Sequence, residues 1–131
     1  PGFYSYHHAR KPQSLTEGLA AQYPHTTDPD LHAVQHHLLM AQTLEAVRAL
    51  EEGVLTDIRE GDVGAILGWG FAPWSGGPFS WLDIIGAPRA VEICDTLTET
   101  YGPRFTAPKL LRDMAAKGET FYTRFATAKA A

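Results

Sequence analysis

Apolar residues recur at helical spacing along the second quarter of the chain. Asp28 can accept hydrogen bonds at the N-cap, Pro29 suits the first turn, and Gly53 can end the helix. At about 100° per residue, the apolar positions spread around most of the helix circumference instead of forming one stripe. We therefore predict a long helix from Pro29 to Glu52 that is central in its domain or is covered on its second side by another domain.

Glycine and proline divide the rest of the chain into shorter apolar segments. The predicted helices are Ile58–Leu67, Pro78–Ile85, Ala87–Tyr101 and Pro108–Lys117. We expect Gly61 and Gly64 to break the first of them, and the aromatic segment 121–125 to dock against the helices. No two runs alternate with a period of two residues, so the chain is predicted to be an all-α domain.

The chain before the long helix has a different composition. An aromatic segment at residues 2–6 is followed by His7 and His8 and then by several prolines. We predict that residues 1–28 form an interdomain tether, pinned where its aromatic side chains bury, and that residues 29–131 form the helical domain. A short helical turn is expected between Leu15 and Tyr23.

Composition and charge exclude several classes of protein. Of the 131 residues, 44% are hydrophobic and 20% are charged, which is typical of a globular domain. The formal net charge of −4 disfavours a nucleic-acid partner, since phosphate binding needs clustered lysine and arginine. Cys94 is the single cysteine, so an intrachain disulfide and a cysteine-rich zinc site are excluded. No apolar run is long enough for a membrane span and no secretory signal is evident, so we expect an intracellular, cytoplasmic protein.

A glycine-rich aromatic loop is the most unusual segment. Gly68 and Gly70 match the start of a dinucleotide-binding fingerprint, but Pro73 stands where a third glycine belongs, and the preceding segment is predicted to be helical. We therefore predict a structural loop that passes close to a helix, or an interface. Its aromatic side chains, expected to fill the surrounding space, are Trp69, Phe71, Trp74, Phe79 and Trp81. The full set of predicted loop and interface residues is Gly68, Trp69, Gly70, Phe71, Pro73, Trp74, Gly76, Gly77, Pro78 and Asp83.

Two histidines on the long helix are separated by one turn. His32 and His36 have the i, i+4 spacing with which one helix face can bind a metal. No third ligand is evident, so solvent-facing or boundary positions are the favoured interpretation for these residues and for His37. His7 and His8 carry less information still. We predict no metal-binding residue.

The sequence contains no evident catalytic set. Cys94 has no nearby histidine and is predicted to pack in the core, and Ser75 and Ser80 lack the strand–turn–helix context of a nucleophile. Asp83, one turn into a proline-led helix, is expected to accept hydrogen bonds from the loop or from its own helix N-terminus. An acid–base role is disfavoured because no second carboxylate is placed beside it. We accordingly predict no catalytic and no cofactor-binding residue.

Longer motifs resemble a known family over most of the chain. The most specific run is Gly68-Trp69-Gly70-Phe71-Ala72-Pro73, followed by Gly76-Gly77-Pro78-Phe79 and Asp83. Upstream of it lie Thr43-Leu44-Glu45-Ala46, Leu50-Glu51-Glu52-Gly53-Val54-Leu55 and Glu60-Gly61-Asp62-Val63-Gly64-Ala65-Ile66-Leu67, and Gly2-Phe3-Tyr4-Ser5-Tyr6 resembles a segment that links two copies of the same domain. Together these motifs resemble the C-terminal helical domain of 3-hydroxyacyl-CoA dehydrogenases, in its second copy within the multifunctional enzyme of fatty-acid β-oxidation (the trifunctional α-subunit type).

This resemblance implies a compact bundle around one long central helix, like the C-terminal helical domain of 6-phosphogluconate dehydrogenase. In the family, NAD and the catalytic His–Glu pair belong to a preceding Rossmann domain, to which nothing in this chain corresponds. An asparagine of the first copy that helps to form the active site aligns with His36, so that role is not carried over. The resemblance also implies that the second copy replaces the partner subunit of simpler dimeric dehydrogenases through a pseudo-dimer interface.

The resulting functional hypothesis is a C-terminal fragment of a multifunctional enoyl-CoA hydratase/3-hydroxyacyl-CoA dehydrogenase. The parent would oxidise a 3-hydroxyacyl-CoA with NAD, while this chain alone is predicted to be inactive and to serve domain packing. Its expected partners are the Rossmann and hydratase domains of the parent, with a homodimer as an option in isolation. Two alternatives stay open, namely a self-standing helical dimerisation protein and a small acyl-CoA-binding module.

Overall fold

The computed structural model describes residues 2–6, 10–11, 14–24 and 28–125. The backbone divides into two compact units, Pro1–Asp30 and Leu31–Ala131. The predicted boundary between tether and helical domain, after residue 28, lies within two residues of this division. The role of the first unit as an interdomain tether stays a prediction.

The first unit contains a very short strand pair and one turn of helix. Tyr4–Ser5 (β1) pairs antiparallel with Ser14–Leu15 (β2), and Leu19–Gln22 (α1) follows, as the sequence predicted for a helical turn in that region. The strand pair was not predicted. The expectation that the aromatic side chains bury is wrong for Phe3 and Tyr4, which are more than half exposed, because a two-residue ladder encloses no side chain.

The second unit is a bundle of helices, which confirms the all-α prediction for this part of the chain. Its α-helices are Leu31–Glu51 (α2), Ile58–Trp69 (α3), Pro78–Ile85 (α4), Ala87–Tyr101 (α5), Lys109–Lys117 (α6) and Phe121–Arg124 (α7). Single 3-10 turns occur at Pro73–Ser75 and Pro103–Phe105. Helix α2 contacts α4, α5 and α6, and α4 connects α3 and α7 to the rest of the bundle. None of the helices in the described ranges is long and apolar enough to cross a membrane.

Helix α2 is apolar on two sides, as its sequence predicted. The side that enters the core carries Leu39, Met40, Thr43, Leu44 and Val47. On the other side, towards the start of the helix, Leu31 is 75% exposed and Leu38 is 59% exposed. That another domain covers this second side stays a prediction.

Helix α3 corrects the prediction that Gly61 and Gly64 break the chain here. It runs without interruption through both glycines and two residues beyond Leu67, to Trp69. Gly61 is required for packing, because a Cβ there would lie 2.7 Å from side-chain atoms of Phe79 and Leu55. The glycine therefore allows a close helix–helix contact and does not end the helix.

The loop after α3 is more regular than its composition suggests. Its first two predicted residues belong to α3, and Pro73–Ser75 forms a 3-10 turn before α4 begins at Pro78. The predicted bounds of α4 and α5 are confirmed, and α6 begins at Lys109, one residue after its predicted start. Aromatic and aliphatic side chains from the helices and from the segments between them form one core, whose largest fully buried members are Phe71, Phe79, Phe105, Phe121, Met40 and Leu44.

Candidate functional site

A buried carboxylate, Asp62, holds the end of the glycine-rich loop. The Asp62 side chain projects from α3 towards the start of α4 and is only 2% exposed. It accepts hydrogen bonds from the backbone N–H of Phe79 at 2.8 Å and of Ser80 at 3.1 Å, and from the Ser80 hydroxyl at 2.6 Å. The Tyr122 hydroxyl donates a fourth bond at 2.9 Å. A helix N-terminus presents unpaired N–H groups, so Asp62 acts as a cap supplied by another helix.

The sequence around α4 explains why the cap comes from outside. Gly77, which precedes the helix, has no side chain to offer, and Pro78 has no N–H to be satisfied. Gly77 has a φ of 114°, and a Cβ on it would lie 2.5 Å from the Asp62 side chain. Glycine at this position therefore permits both the turn and the close approach of Asp62.

Asp62 was missed as a site residue in the sequence. A signal was present, because Ile58, Asp62 and Ala65 share the i, i+4, i+7 spacing of one helix face and all three are buried. A single carboxylate on an otherwise apolar face indicates a buried partner that donates hydrogen bonds. The identity of that partner could not be deduced, since it lies 17 residues away in the sequence.

Asp83 also caps a helix, but not the one that the sequence suggested. Its carboxylate accepts hydrogen bonds from the N–H of Phe121 at 2.6 Å and of Tyr122 at 2.9 Å, which begin α7. The prediction that its partners lie in the loop or at its own helix N-terminus is therefore wrong, because α7 docks on α4. The prediction that no second carboxylate is near is also corrected, since Asp62 and Asp83 both bind Tyr122.

The electrostatic environment of Tyr122 reflects this arrangement. Burial raises the pKa of its hydroxyl above the usual range, and the nearby carboxylates of Asp62 and Asp83 add to the rise, against a smaller lowering by the Ser80 hydrogen bond. Tyr122 is thus protonated near neutral pH and available as a hydrogen-bond donor. Both carboxylates are engaged by protein N–H and O–H groups, which is typical of a structural role.

The predicted aromatic residues of the loop divide into two groups. Phe71, Phe79 and Trp81 are buried, as expected for side chains that fill the space around the loop. The same expectation is wrong for Trp69 and Trp74, which are 62% and 67% exposed. The Trp69 indole N–H donates to the side-chain oxygen of Gln42 on α2 at 3.1 Å, so the ring lies on the surface of that helix.

The histidines of α2 form ring contacts. His36 lies 6.5 Å from the Trp81 ring, and His37 makes edge contacts with Tyr101 at 4.4 Å and with Phe105 at 4.7 Å. Within the ranges that the structure describes, no group of three or more histidine, cysteine, aspartate or glutamate residues could hold a metal. His7 and His8 lie outside those ranges.

The single cysteine packs in the core, as predicted. Cys94 is fully buried on α5. Burial raises the pKa of its thiol to about 12, and the adjacent Asp95 adds to the rise. A thiol with such a pKa is protonated at neutral pH and is a poor nucleophile.

The fold and site together define a class of protein: an all-α domain whose aromatic loop is held by carboxylate caps and which exposes apolar side chains on α2 and the loop. No family model matches the chain. It is 39% identical over 124 residues to the fatty acid oxidation complex subunit alpha of Shewanella amazonensis, and the matched region covers 92% of this chain and 18% of that protein. It is 37% identical over 124 residues to the protein of the same name from Shewanella oneidensis, covering 92% of this chain and 17% of that protein.

These similarities confirm the resemblance that the motifs indicated. They extend over nearly the whole chain, yet the chain spans less than a fifth of the length of either relative. The chain therefore corresponds to a small part of a fatty acid oxidation complex alpha subunit.

Proposed function

We propose that this chain is the C-terminal helical domain of a multifunctional enzyme of fatty-acid β-oxidation, where it provides domain packing. The observation that carries the proposal is 39% identity over 92% of the chain to a fatty acid oxidation complex subunit alpha of which the chain spans 18%. The engaged state of the Asp62 and Asp83 carboxylates supports a structural role. In this proposal residues 1–28 are the tether and residues 29–131 the packing domain.

The chemistry of the parent would reside outside this chain. We propose that the parent combines enoyl-CoA hydratase and 3-hydroxyacyl-CoA dehydrogenase activities, and that the second transfers a hydride from C3 of the substrate to NAD+. NAD and the catalytic residues would belong to a Rossmann domain elsewhere in the parent, in the cytoplasm of a bacterium. The isolated chain is then expected to form no NADH from 3-hydroxybutyryl-CoA and NAD+, and formation of NADH would contradict this assignment.

Exposed apolar side chains provide the packing surface in this proposal. Leu31, Val34 and Leu38 lie on one face of α2, and Gln42, one turn further on, binds Trp69. Clustered exposed apolar residues on a single domain are typical of interaction sites. The Rossmann and hydratase domains of the parent are the proposed occupants.

A chimera tests this function directly. The matched segment of the Shewanella amazonensis subunit alpha is replaced with this chain, and NAD-linked oxidation of 3-hydroxybutyryl-CoA is compared with that of a deletion of the segment. We expect the chimera to retain activity and the deletion to lose it. A chimera carrying Leu38→Asp, which places a charge on the exposed face of α2, should lose activity, whereas Glu92→Gln on α5 should not. Equal loss in the chimera and the deletion would refute the proposal.

Self-association is a second candidate, favoured by the same exposed face of α2. Light scattering of the isolated chain distinguishes the two, because a tight homodimer supports a self-standing dimerisation protein. Acyl-CoA binding has less support. The apolar groove between α2 and α5, lined by Ala33, His36, Ile93 and Leu97 among others, has a volume of about 240 Å³, below the usual range of roughly 300–1,000 Å³ for ligand pockets. A larger depression of about 490 Å³ lies beside Leu50, Lys109 and Arg124, but it is a shallow surface feature. Calorimetry with acetyl-CoA is expected to show no heat of binding.

A further inference from the structure

The last helix of the described chain is tied to two other helices through one residue. The backbone N–H of Tyr122 donates to Asp83 on α4, and its hydroxyl donates to Asp62 on α3, both at 2.9 Å. The preceding residue, Phe121, is buried and its ring lies 5.1 Å from that of Phe79 in the core. Helix α7 thus docks by a buried ring, a capped N-terminus and a side-chain hydroxyl.

The carboxylate that receives the Tyr122 hydroxyl also orders the end of the aromatic loop. Asp62 accepts hydrogen bonds from the backbone N–H groups of Phe79 and Ser80, and its side chain fills the space beside Gly77. The docked α7 therefore shares one hydrogen-bond acceptor with the turn at residues 76–80. Asp62 is only 2% exposed in this arrangement, and hydrogen bonds to a carboxylate are stronger where water is excluded.

We propose that α7, residues Phe121–Arg124, is a conformational latch for the loop that carries Trp74. Docking of α7 orders the turn at residues 76–80 through the Tyr122 hydroxyl and Asp62, and undocking loosens that turn. Because such coupling is reciprocal, ordering of that turn also favours the docked state of α7. This inference is independent of the proposed function, since it uses only contacts inside the second unit.

Two single variants and their combination test the latch by native-state hydrogen exchange. Asp83→Ala removes the acceptor that ties the first two N–H groups of α7 to α4 and leaves the Thr120 capping box of α7 in place, whereas Tyr122→Phe removes only the hydroxyl that reaches Asp62. Exchange is measured at the N–H groups of Phe79 and Ser80, which bind Asp62, and at the N–H groups of α7.

The expected pattern separates coupling from local damage. Tyr122→Phe should accelerate exchange at Phe79 and Ser80 about fivefold, which corresponds to the loss of one ordinary hydrogen bond. Asp83→Ala should accelerate exchange in α7 and also at Phe79 and Ser80, although Asp83 binds neither. In the double variant, Asp83→Ala should add less acceleration at Phe79 and Ser80 than it does in the wild type, because only the Phe121–Phe79 ring contact then still links α7 to the turn.

A control variant removes the contribution of global unfolding. Leu111→Val weakens the core on α6, away from the hydrogen bonds among Asp62, Asp83 and Tyr122. The exchange rates at Phe79 and Ser80 in this variant, measured at equal free energy of unfolding, give the contribution of global unfolding, which is subtracted. The latch proposal would be refuted if the N–H groups of Phe79 and Ser80 exchanged at the wild-type rate in Asp83→Ala. The same conclusion would follow if Asp83→Ala accelerated their exchange equally in the presence and absence of the Tyr122 hydroxyl.

Discussion

Replacement of Asp62 by alanine should be among the most destabilising single changes in this protein. The variant leaves the N–H groups of Phe79 and Ser80 without their acceptor, in a site where the carboxylate is only 2% exposed. Each hydrogen bond to a charged group contributes about 1.5–3 kcal/mol, and loss of a helix cap costs about 0.5–2 kcal/mol. Because the bonds of one carboxylate are not additive, we expect a total loss of about 3–5 kcal/mol from the free energy of unfolding.

Urea denaturation followed by circular dichroism measures this loss. Asp62→Asn serves as an intermediate variant, since it keeps the shape and one acceptor oxygen, and should lose about 2 kcal/mol. Asp95→Ala is the matched control, because Asp95 is half exposed and forms an ion pair with Arg112; such pairs contribute at most about 1 kcal/mol. A loss in Asp62→Ala no larger than that in Asp95→Ala would refute the view that this carboxylate organises the loop.

Three further results are expected. Hydrogen bonds from Arg59 lower the pKa of the partly exposed Asp57 to about 2, so the stabilisation that it gives is complete above about pH 5 and is lost as pH falls towards 2. In denaturation at pH 5 and pH 2.5, Asp57→Asn should show a smaller pH dependence than wild type, and an unchanged dependence would contradict this. Cys94, with a pKa of about 12, should not react with a thiol reagent at pH 8 until urea unfolds the protein, so rapid native labelling would show that the thiol is not enclosed. Gly77→Ala should lower the free energy of unfolding by at least about 2 kcal/mol, and by more than Gly53→Ala does. Both glycines have a positive φ, but only at Gly77 would a Cβ lie 2.5 Å from another side chain. Equal losses for the two variants in urea denaturation would exclude this steric contribution.

The local pattern of the sequence was sufficient to locate most helices. Prolines in the first two helical positions and glycines just beyond the end bracket α4 and α5, whose predicted bounds are confirmed. These signals are local, because they depend on the backbone conformation of one or two residues. The same local rule failed at Gly61, where the glycine serves contact with Phe79, a residue distant in the sequence.

The chemistry of the loop, by contrast, depended on contacts between distant residues. The sequence identified Asp83 as a hydrogen-bond acceptor but not α7 as its partner, and it did not single out Asp62 at all. It also could not separate the buried Phe71 from the exposed Trp69, because both are large aromatic side chains that can pack in a core. Only the packing of the loop against the helices determines which of its aromatic side chains enters the core.

By itself, the sequence determined the helical class of the second unit, the positions of most of its helix ends to within two residues, and a resemblance specific enough to indicate its relatives. It could do so because helix ends and motif spacing are set by neighbouring residues. The tertiary structure alone decided that Asp62 caps α4 and Asp83 caps α7, and that Tyr122 connects them. The physical reason is that these hydrogen bonds join residues 17 to 60 positions apart, and the partner of a buried carboxylate is chosen by the packing of whole helices.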